Sequence, residues 1–185
     1  ESLRKKLNIK GFTLISVGNL IELKGHHLII DALRNLPNVS LLIAGNGPLE
    51  NSLKQQVNEA NMQQRVLFLG LLNQEQLSEY YGACDALILA SSREGWANVL
   101  LEAMGCGTPV IATAIWGTPE VVASPDAGLL VQKRDVASIQ NSINELIKHP
   151  LQRERVRIYA EKFSWQETSS MLYSEFSHII ETNKD

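Results

Sequence analysis

Six short runs rich in Val, Ile, Leu and Ala, at residues 12–17, 39–44, 66–69, 86–90, 109–113 and 128–131, alternate with stretches whose apolar residues recur at helical spacing. Nothing else in the chain restricts its fold so strongly. Continuous apolar runs of this length read as strands buried on both faces. The periodic segments between them, at 26–36, 49–61, 74–84 and 97–104 with a shorter one at 119–123, read as helices. A strand reached from its predecessor through a crossover helix lies parallel to it. The expected fold class is therefore α/β: a doubly wound, Rossmann-like parallel sheet of about six strands with helices on both faces. Such a sheet binds ligands at the carboxyl ends of its strands. Beyond the sixth strand the chain reads as purely helical, over 136–148, 151–162 and 165–182, with Asp135 and Ser164 as N-caps and Pro150 between the first two. The aromatic residues Phe163, Trp165, Tyr173 and Phe176 of this tail read either as ordinary core, the favoured reading for each taken singly, or as a face turned toward a partner domain.

Composition bounds the rest. A chain of 185 residues is the size of one domain and buries about 70% of its extended surface, so it needs no disulfide or metal staple. The net charge of −3 gives no electrostatic reason to expect a nucleic-acid partner or a polybasic membrane contact. Two cysteines, Cys84 and Cys106, are too few and too far apart for a disulfide framework or a CxxC site, and a reducing, cytosolic setting follows. No run approaches the roughly 20 apolar residues of a membrane span, and no signal peptide opens the chain. The first residue is Glu1 rather than Met, as expected of a fragment of a longer polypeptide or of a processed product.

Function in such a sheet collects at the turns that follow the strands. The first, Val17 to His27, places Gly18 at a strand end and Lys24 before Gly25, where a helix begins. A lysine at a helix N-terminus suits a phosphate; a solvated loop lysine is an equally good reading of that turn alone. His26 and His27 are adjacent, not at metal-ligand spacing, and read as helix-start residues. The second turn, Ala44 to Glu50, carries Gly45 and Gly47, but Glu50 stands where a dinucleotide fingerprint has its third glycine. A tight turn with Pro48 at the helix start is the favoured reading, with room for a close ligand left by the two glycines.

The fourth turn, Ser91 to Val110, is the informative one. Glu94 and Gly95 sit where strand gives way to helix, and Glu102 follows eight residues later on the same helical face as Asn98. The plainer readings are a first-turn acid for Glu94 and a solvated helix face for Glu102. Two ionised carboxylates at one crevice suit a hydroxyl-rich ligand, because each accepts hydrogen bonds from several OH groups. The fifth turn, Ala114 to Glu120, reads as structural, with glycine and proline punctuation. Phosphate clamp, carboxylates and glycine-lined turns together point to a phosphorylated, polyhydroxylated ligand such as a nucleotide sugar.

The string E-G-W-A-N-V-L-L-E-A-M-G-C-G-T-P-V-I-A-T, from Glu94 to Thr113, resembles the E-x7-E signature of retaining glycosyltransferases of the family 4 group, which have the two-domain GT-B fold. The resemblance extends to V-G-N-L-I-E-L-K-G-H, G-N-G-P-L, R-V-L-F-L-G and G-T-P-E, in the family's order and over nearly the whole chain. It implies that residues 1–185 form the C-terminal, donor-binding half of such an enzyme, with the N-terminal acceptor domain lying outside this chain. By position, Glu102 would bind the ribose hydroxyls and Glu94 the donor-sugar hydroxyls. Gly95, Trp96, Ala97 and Asn98 would offer backbone amides to sugar and β-phosphate, Lys24 would bind the diphosphate, and Leu71 and Leu72 would meet the base. Gly18, Asn19, Gly45 and Gly47 complete the implied donor site. One position departs from the pattern: Asn19 stands where the family usually carries an arginine five residues before the lysine. The loss of a charge-assisted phosphate contact is worth roughly 1.5–3 kcal/mol.

The implied chemistry is transfer from a nucleoside-diphosphate sugar to an acceptor hydroxyl with retention, in polysaccharide, lipopolysaccharide or glycolipid synthesis. Glu94 and Lys24 are the catalytic candidates, and preorganised positive groups at Lys24 and at a helix N-terminus near Gly95 would stabilise the departing diphosphate. The scheme requires no metal and no cofactor beyond the donor. The acceptor glycan or glycolipid would bind through the N-terminal domain, so the isolated half would bind nucleotide yet transfer little. The setting would be cytoplasmic, with the inner face of the membrane as a peripheral site for the full-length protein. A non-catalytic nucleotide- or sugar-binding Rossmann-like module is the alternative from another class, motivated by Asn19. A nicotinamide-dependent oxidoreductase is disfavoured by Glu50.

Overall fold

The computed structural model describes residues 2–7, 9, 11–163, 169, 173, 174, 176, 177 and 179. Six strands, β1 (Phe12–Val17), β2 (Val39–Ala44), β3 (Val66–Gly70), β4 (Ala86–Leu89), β5 (Val110–Thr113) and β6 (Gly128–Val131), form one sheet in the order β3-β2-β1-β4-β5-β6. Every pairing is parallel, with Leu14 opposite Leu41 and Ala86, and Ile111 opposite Ile88 and Leu129. The order reverses between β1 and β4, and that junction is the place where such a sheet opens a crevice at its carboxyl edge. The expected α/β architecture is the observed one.

The helices are α1 (Ser2–Lys6), α2 (His26–Ala32), α3 (Glu50–Glu59), α4 (Gln74–Ala83), α5 (Asn98–Gly105), α6 (Thr118–Val121), α7 (Val136–Lys148) and α8 (Arg153–Ala160). Two apolar layers sandwich the sheet. Leu14, Leu41, Ile43, Ile88 and Ile111 meet Ile29, Leu53 and Ile143 of α2, α3 and α7 on one face. Ile15, Leu42, Leu87, Leu89 and Ala112 meet Tyr81, Leu100, Met104 and Val156 of α4, α5 and α8 on the other. This alternation explains why the strands read as mainly apolar runs: both faces are covered, and each buried Leu or Ile adds about 1.5–3 kcal/mol.

Asp135 caps α7 as expected, its carboxylate accepting from the Ser138 N–H at 2.7 Å. Asn73 caps α4 through a reciprocal box with Gln76. Helix α8 is fastened by Arg153, which donates to the carbonyl of Cys84 at 2.9 Å and to Thr108 Oγ1 at 2.7 Å, and by Tyr159, whose hydroxyl donates to the Val121 carbonyl at 3.0 Å. The long helix expected over 26–36 narrows after Ala32 to a 3₁₀ turn, Leu33–Asn35. Ser164 and Trp165, and with them most of the helix expected over 165–182, lie outside the described residues. Residues 169, 173, 174, 176, 177 and 179 are helical, and Tyr173 and Phe176 are 77% and 60% exposed, which removes both from the core where the aromatic pattern first put them.

Candidate functional site

The turn after β1 is built backward from Gly25. That residue takes φ +69°, and a side chain there would meet the Ala90 carbonyl at 2.2 Å, so both conformation and space call for glycine. Its N–H closes on the Glu22 carbonyl at 3.1 Å and ends a 3₁₀ turn over Glu22–Lys24. Lys24 is thereby turned back over Gly18, and its Nζ donates to Glu94 Oε1, seventy residues away in sequence. The same carboxylate oxygen accepts from Ser91 Oγ at 2.6 Å, and the Ser91 carbonyl accepts from Thr113 Oγ1 at 2.6 Å. The pair is largely shielded, with side-chain exposures of 22% for Lys24 and 12% for Glu94. Neither charge is left alone, which is what burial of charged groups demands. Arg134 braces the arrangement by donating to the carbonyls of Ala90 at 2.8 Å and Glu22 at 3.2 Å.

His26, the first residue of α2, lies beneath this turn and is 2% exposed. Its Nδ1 is 3.1 Å from Ser16 Oγ, and its Nε2 has no hydrogen-bond partner. Desolvation above all, opposed by the backbone of Asn19 and Gly18 and assisted by the charges of Lys24 and His27, lowers the imidazole pKa to about 4. The ring is neutral at pH 7, as a helix-start residue in the core should be.

The glycines of the second turn have a reason of their own. A side chain at Gly45 would strike the Gly18 carbonyl at 2.0 Å, and one at Gly47 the Leu20 carbonyl at 2.6 Å. The Gly18 N–H donates to the Ala44 carbonyl at 3.0 Å, the Leu20 N–H to Asn46 at 2.7 Å, and the Gly45 N–H to the Gly70 carbonyl at 2.7 Å. The room these glycines leave is filled by backbone of the neighbouring turn. Asn19 is exposed, as is Leu71 at 70%, while Leu72 is half-buried beside α4.

Helix α5 starts at Asn98, with Ala97 as its N-cap. Glu94 therefore sits upstream of the helix, which rules out the first-turn explanation for it, and Gly95 is not at the helix N-terminus as expected. The Asn98 N–H is taken by the Trp96 carbonyl at 3.0 Å, whereas the amides of Gly95, Trp96 and Ala97 find no acceptor among the described residues. Glu102 does not stand on a free solvated face. Tyr81 donates to its Oε2 at 3.1 Å and Gln74 to its Oε1 at 3.3 Å. Burial first, then the Glu102 charge and hydrogen bond, raise the Tyr81 pKa far above its ordinary value, so the phenol remains a donor. The structure thus gathers Gly18, Lys24, Glu94 and Gly95 at the β1/β4 junction and ties Glu102 to Gln74 and Tyr81 of α4.

Sequence reasoning missed Ser91, Tyr81, Gln74 and Arg134. Ser91 stood inside the string S-S-R-E-G, three residues before the carboxylate it serves. The others come from distant segments and share no spacing with Glu94 or Glu102. The fifth turn is also more than punctuation: Trp116 adopts φ +46°, a left-handed conformation costing about 1–3 kcal/mol for a non-glycine residue, and its indole lies 4.8 Å from the Arg93 guanidinium. Gly117 packs on the Gly95 carbonyl, where an added side chain would come within 2.6 Å.

A cavity of about 710 Å³ lies elsewhere. Pro37, Asn38, Gln64 and Arg65, which precede β2 and β3, line it with Leu7 and Ile9. That is the opposite end of the sheet from Lys24 and Glu94, and none of the expected site residues borders it. Among the described residues no helix is long and apolar enough to cross a membrane.

The family described as glycosyl transferases group 1 matches residues 1–163. The D-inositol 3-phosphate glycosyltransferase of Mycolicibacterium smegmatis is 34% identical over 172 residues, covering 89% of this chain and 39% of its own length. The N-acetyl-alpha-D-glucosaminyl L-malate synthase of Bacillus anthracis is 30% identical over 181 residues, covering 93% of this chain and 47% of its own length. The chain thus spans less than half the length of these curated relatives. Among solved structures, Anabaena HepE in complex with UDP and glucose superposes with a TM-score of 0.84 at 26% identity, over 95% of this chain and 51% of that one. The C-terminal domain of a group 1 glycosyl transferase (LpcC) from Francisella tularensis shares the fold, with a TM-score of 0.70 at 24% identity over 86% of each chain. Sheet order and these likenesses agree: the chain belongs to the group 1 glycosyl transferases and has the fold of their C-terminal domain.

Proposed function

We propose that residues 1–185 bind the donor of a retaining glycosyltransferase, a nucleoside-diphosphate sugar, across the carboxyl edge of the sheet. The base lies against the backbone after Gly70, at Leu71 and Leu72, and the ribose hydroxyls donate to Glu102, already oriented by Tyr81 and Gln74. The diphosphate meets Lys24 and the open amides of Gly95, Trp96 and Ala97 near Gly18 and Asn19, and the sugar hydroxyls donate to Glu94. The observation that carries this reading is the Lys24–Glu94 contact: two residues from distant segments meet at the one place where the strand order reverses. The UDP and UDP-glucose bound by Anabaena HepE make UDP the first nucleotide to try.

In the reaction the bond from C1 to the diphosphate oxygen breaks, the acceptor hydroxyl oxygen bonds to C1 on the same face, and the hydroxyl proton passes to the departing diphosphate. Negative charge grows on the leaving diphosphate, and Lys24 with the open amides stabilises it more in the transition state than in the ground state. A diphosphate competes with Glu94 for Lys24, so donor binding exchanges one ion pair for another and frees Glu94 for the sugar. The acceptor, a glycan or glycolipid, is held chiefly by an opposite lobe, which also supplies any acid or base acting on it. The scheme routes no step through a metal. The isolated 185 residues bind nucleotide and transfer little.

Calorimetric titration of the full-length protein with UDP, GDP, ADP and NAD tests the binding half. Binding of NAD alone overturns it. A donor panel assayed with the full-length protein and its Lys24→Ala variant tests the catalytic half. The exposed Asn19 and the neutralised Lys24 favour a second reading, a binding module without transfer. Nucleotide binding with no transfer from any donor selects that reading.

A further inference from the structure

Trp116 is 64% exposed although one face of its indole is covered by the Arg93 guanidinium at 4.8 Å. The other face is therefore open to solvent, and the ring is held by a cation on its back rather than by a core. It is carried in a left-handed backbone conformation that a tryptophan seldom adopts. The turn that carries it touches the proposed donor site at two points. Arg93 precedes Glu94 in the chain, and Gly117 packs on the Gly95 carbonyl.

Topology says which part of a ligand reaches this ring. The sheet order places β3, with Leu71 and Leu72 after it, on one side of the β1/β4 junction and β5, with Trp116 after it, on the other. A donor with its base toward β3 and its diphosphate at Lys24 points its sugar toward β4, over Glu94. The next position outward, beyond the reacting carbon, is Trp116. We infer that the open face of Trp116 is a platform for a pyranose ring of the acceptor, seated on the donor lobe. The inference rests on the proposed donor orientation. The chemistry fits because the C–H edges on one face of a pyranose carry partial positive charge, and the face of an aromatic ring is negative. The hydroxyl rim of the same ring lies within the polar surroundings of Arg93 and Glu94, the mixture of aromatic wall and few polar groups that sugar sites require.

The test uses full-length protein labelled with 5-fluorotryptophan, the Trp116 signal being assigned by its loss in Trp116→Phe. Methyl pyranosides of glucose, galactose, mannose and N-acetylglucosamine are titrated with and without UDP, and UDP and UDP-glucose are titrated alone. The expected result is a shift of the Trp116 fluorine signal with at least one methyl pyranoside, larger when UDP is present, and no shift with UDP alone. Saturation transfer to that pyranoside falls severalfold in Trp116→Gly, which suits the backbone, and is retained in Trp116→Phe. A shift that UDP-glucose alone produces in full assigns the ring to the donor sugar and overturns the inference. A signal that no pyranoside moves overturns it too, and is the outcome if Trp116 packs against the opposite lobe instead. Heats of UDP binding, measured separately, decide the donor reading, and the pyranoside titration without UDP stands whatever those heats show.

Discussion

The two carboxylates of the proposed donor site, Glu94 and Glu102, lie eight residues apart in sequence and are held in opposite ways. Glu94 is paired with a cation: Lys24 and Ser91 both donate to its Oε1, and the charge of the pair sums to zero. Glu102 is held by neutral donors, Tyr81 and Gln74, and keeps its negative charge. The first arrangement is a closed pair that a ligand must open, and the second is an acceptor oriented in advance. One edge of a sheet thus combines a group that exchanges partners with one that does not.

The largest effect expected to separate the two sides is acid. His26 lies under the Lys24 turn with its pKa lowered to about 4, against about 6.5 in an unfolded chain. Between those values the unfolded state binds a proton that the native state refuses, so stability is full above about pH 6.5 and declines as pH falls toward about 4. The loss from this group is about 3 kcal/mol, read by urea unfolding across that window. His26→Gln should flatten that part of the profile. The Tyr81 phenol under Glu102 stays protonated throughout and contributes no such slope.

Next in size is Lys24→Ala, which removes a charge-assisted contact worth roughly 1.5–3 kcal/mol and should lower kcat/KM for donor about 10- to 150-fold in full-length protein. The comparison itself is broken most directly by neutral isosteres. Glu94→Gln frees Lys24 and should tighten UDP binding by up to about tenfold while transfer falls, because the competing anion is gone. Glu102→Gln should weaken UDP by about tenfold, as the ribose hydroxyls lose a charged acceptor. Calorimetry reads both, and a change of the same sign in the two variants would refute the contrast. The smallest effect is Tyr81→Phe: loss of one oriented donor should cost about 1 kcal/mol, near fivefold in UDP affinity, with transfer from bound donor little altered.

The strands were legible because β1, β2, β4 and β5 are buried almost throughout, which leaves apolar runs interrupted only by Thr13, Ser16, Ser40 and Thr113. The turns were legible as places and not as mechanisms. Lys24, Glu94 and Glu102 stand out in the sequence, but that Glu94 is shielded by Lys24 and steadied by Ser91 depends on a contact across seventy residues. Periodicity carries no information at that range. Helix α1 escaped notice for a similar reason: Arg4 fixes it by donating to Asp85 at 2.9 Å and to the Ala83 carbonyl at 3.0 Å, partners supplied by the other end of the sheet's folding order. The start of α5 was misplaced by one residue, enough to move Gly95 away from the helix end.

Gly45 fits against Gly18, Gly47 against Leu20, and the Gly45 N–H reaches Gly70. The turns after β1, β2 and β3 are consequently mortised together, and the spacing between the Lys24 turn and the segment at Leu71 is gauged by the protein before any ligand arrives. Variation is channelled by that joint. Even one methyl group at Gly45 would jolt three turns at once, so this half of the edge changes as a block or not at all. The turns after β4 and β5 meet by side chains as well, Arg93 on the Trp116 indole and Thr113 on the Ser91 carbonyl, so that half of the edge is joined by contacts a substitution can exchange one at a time.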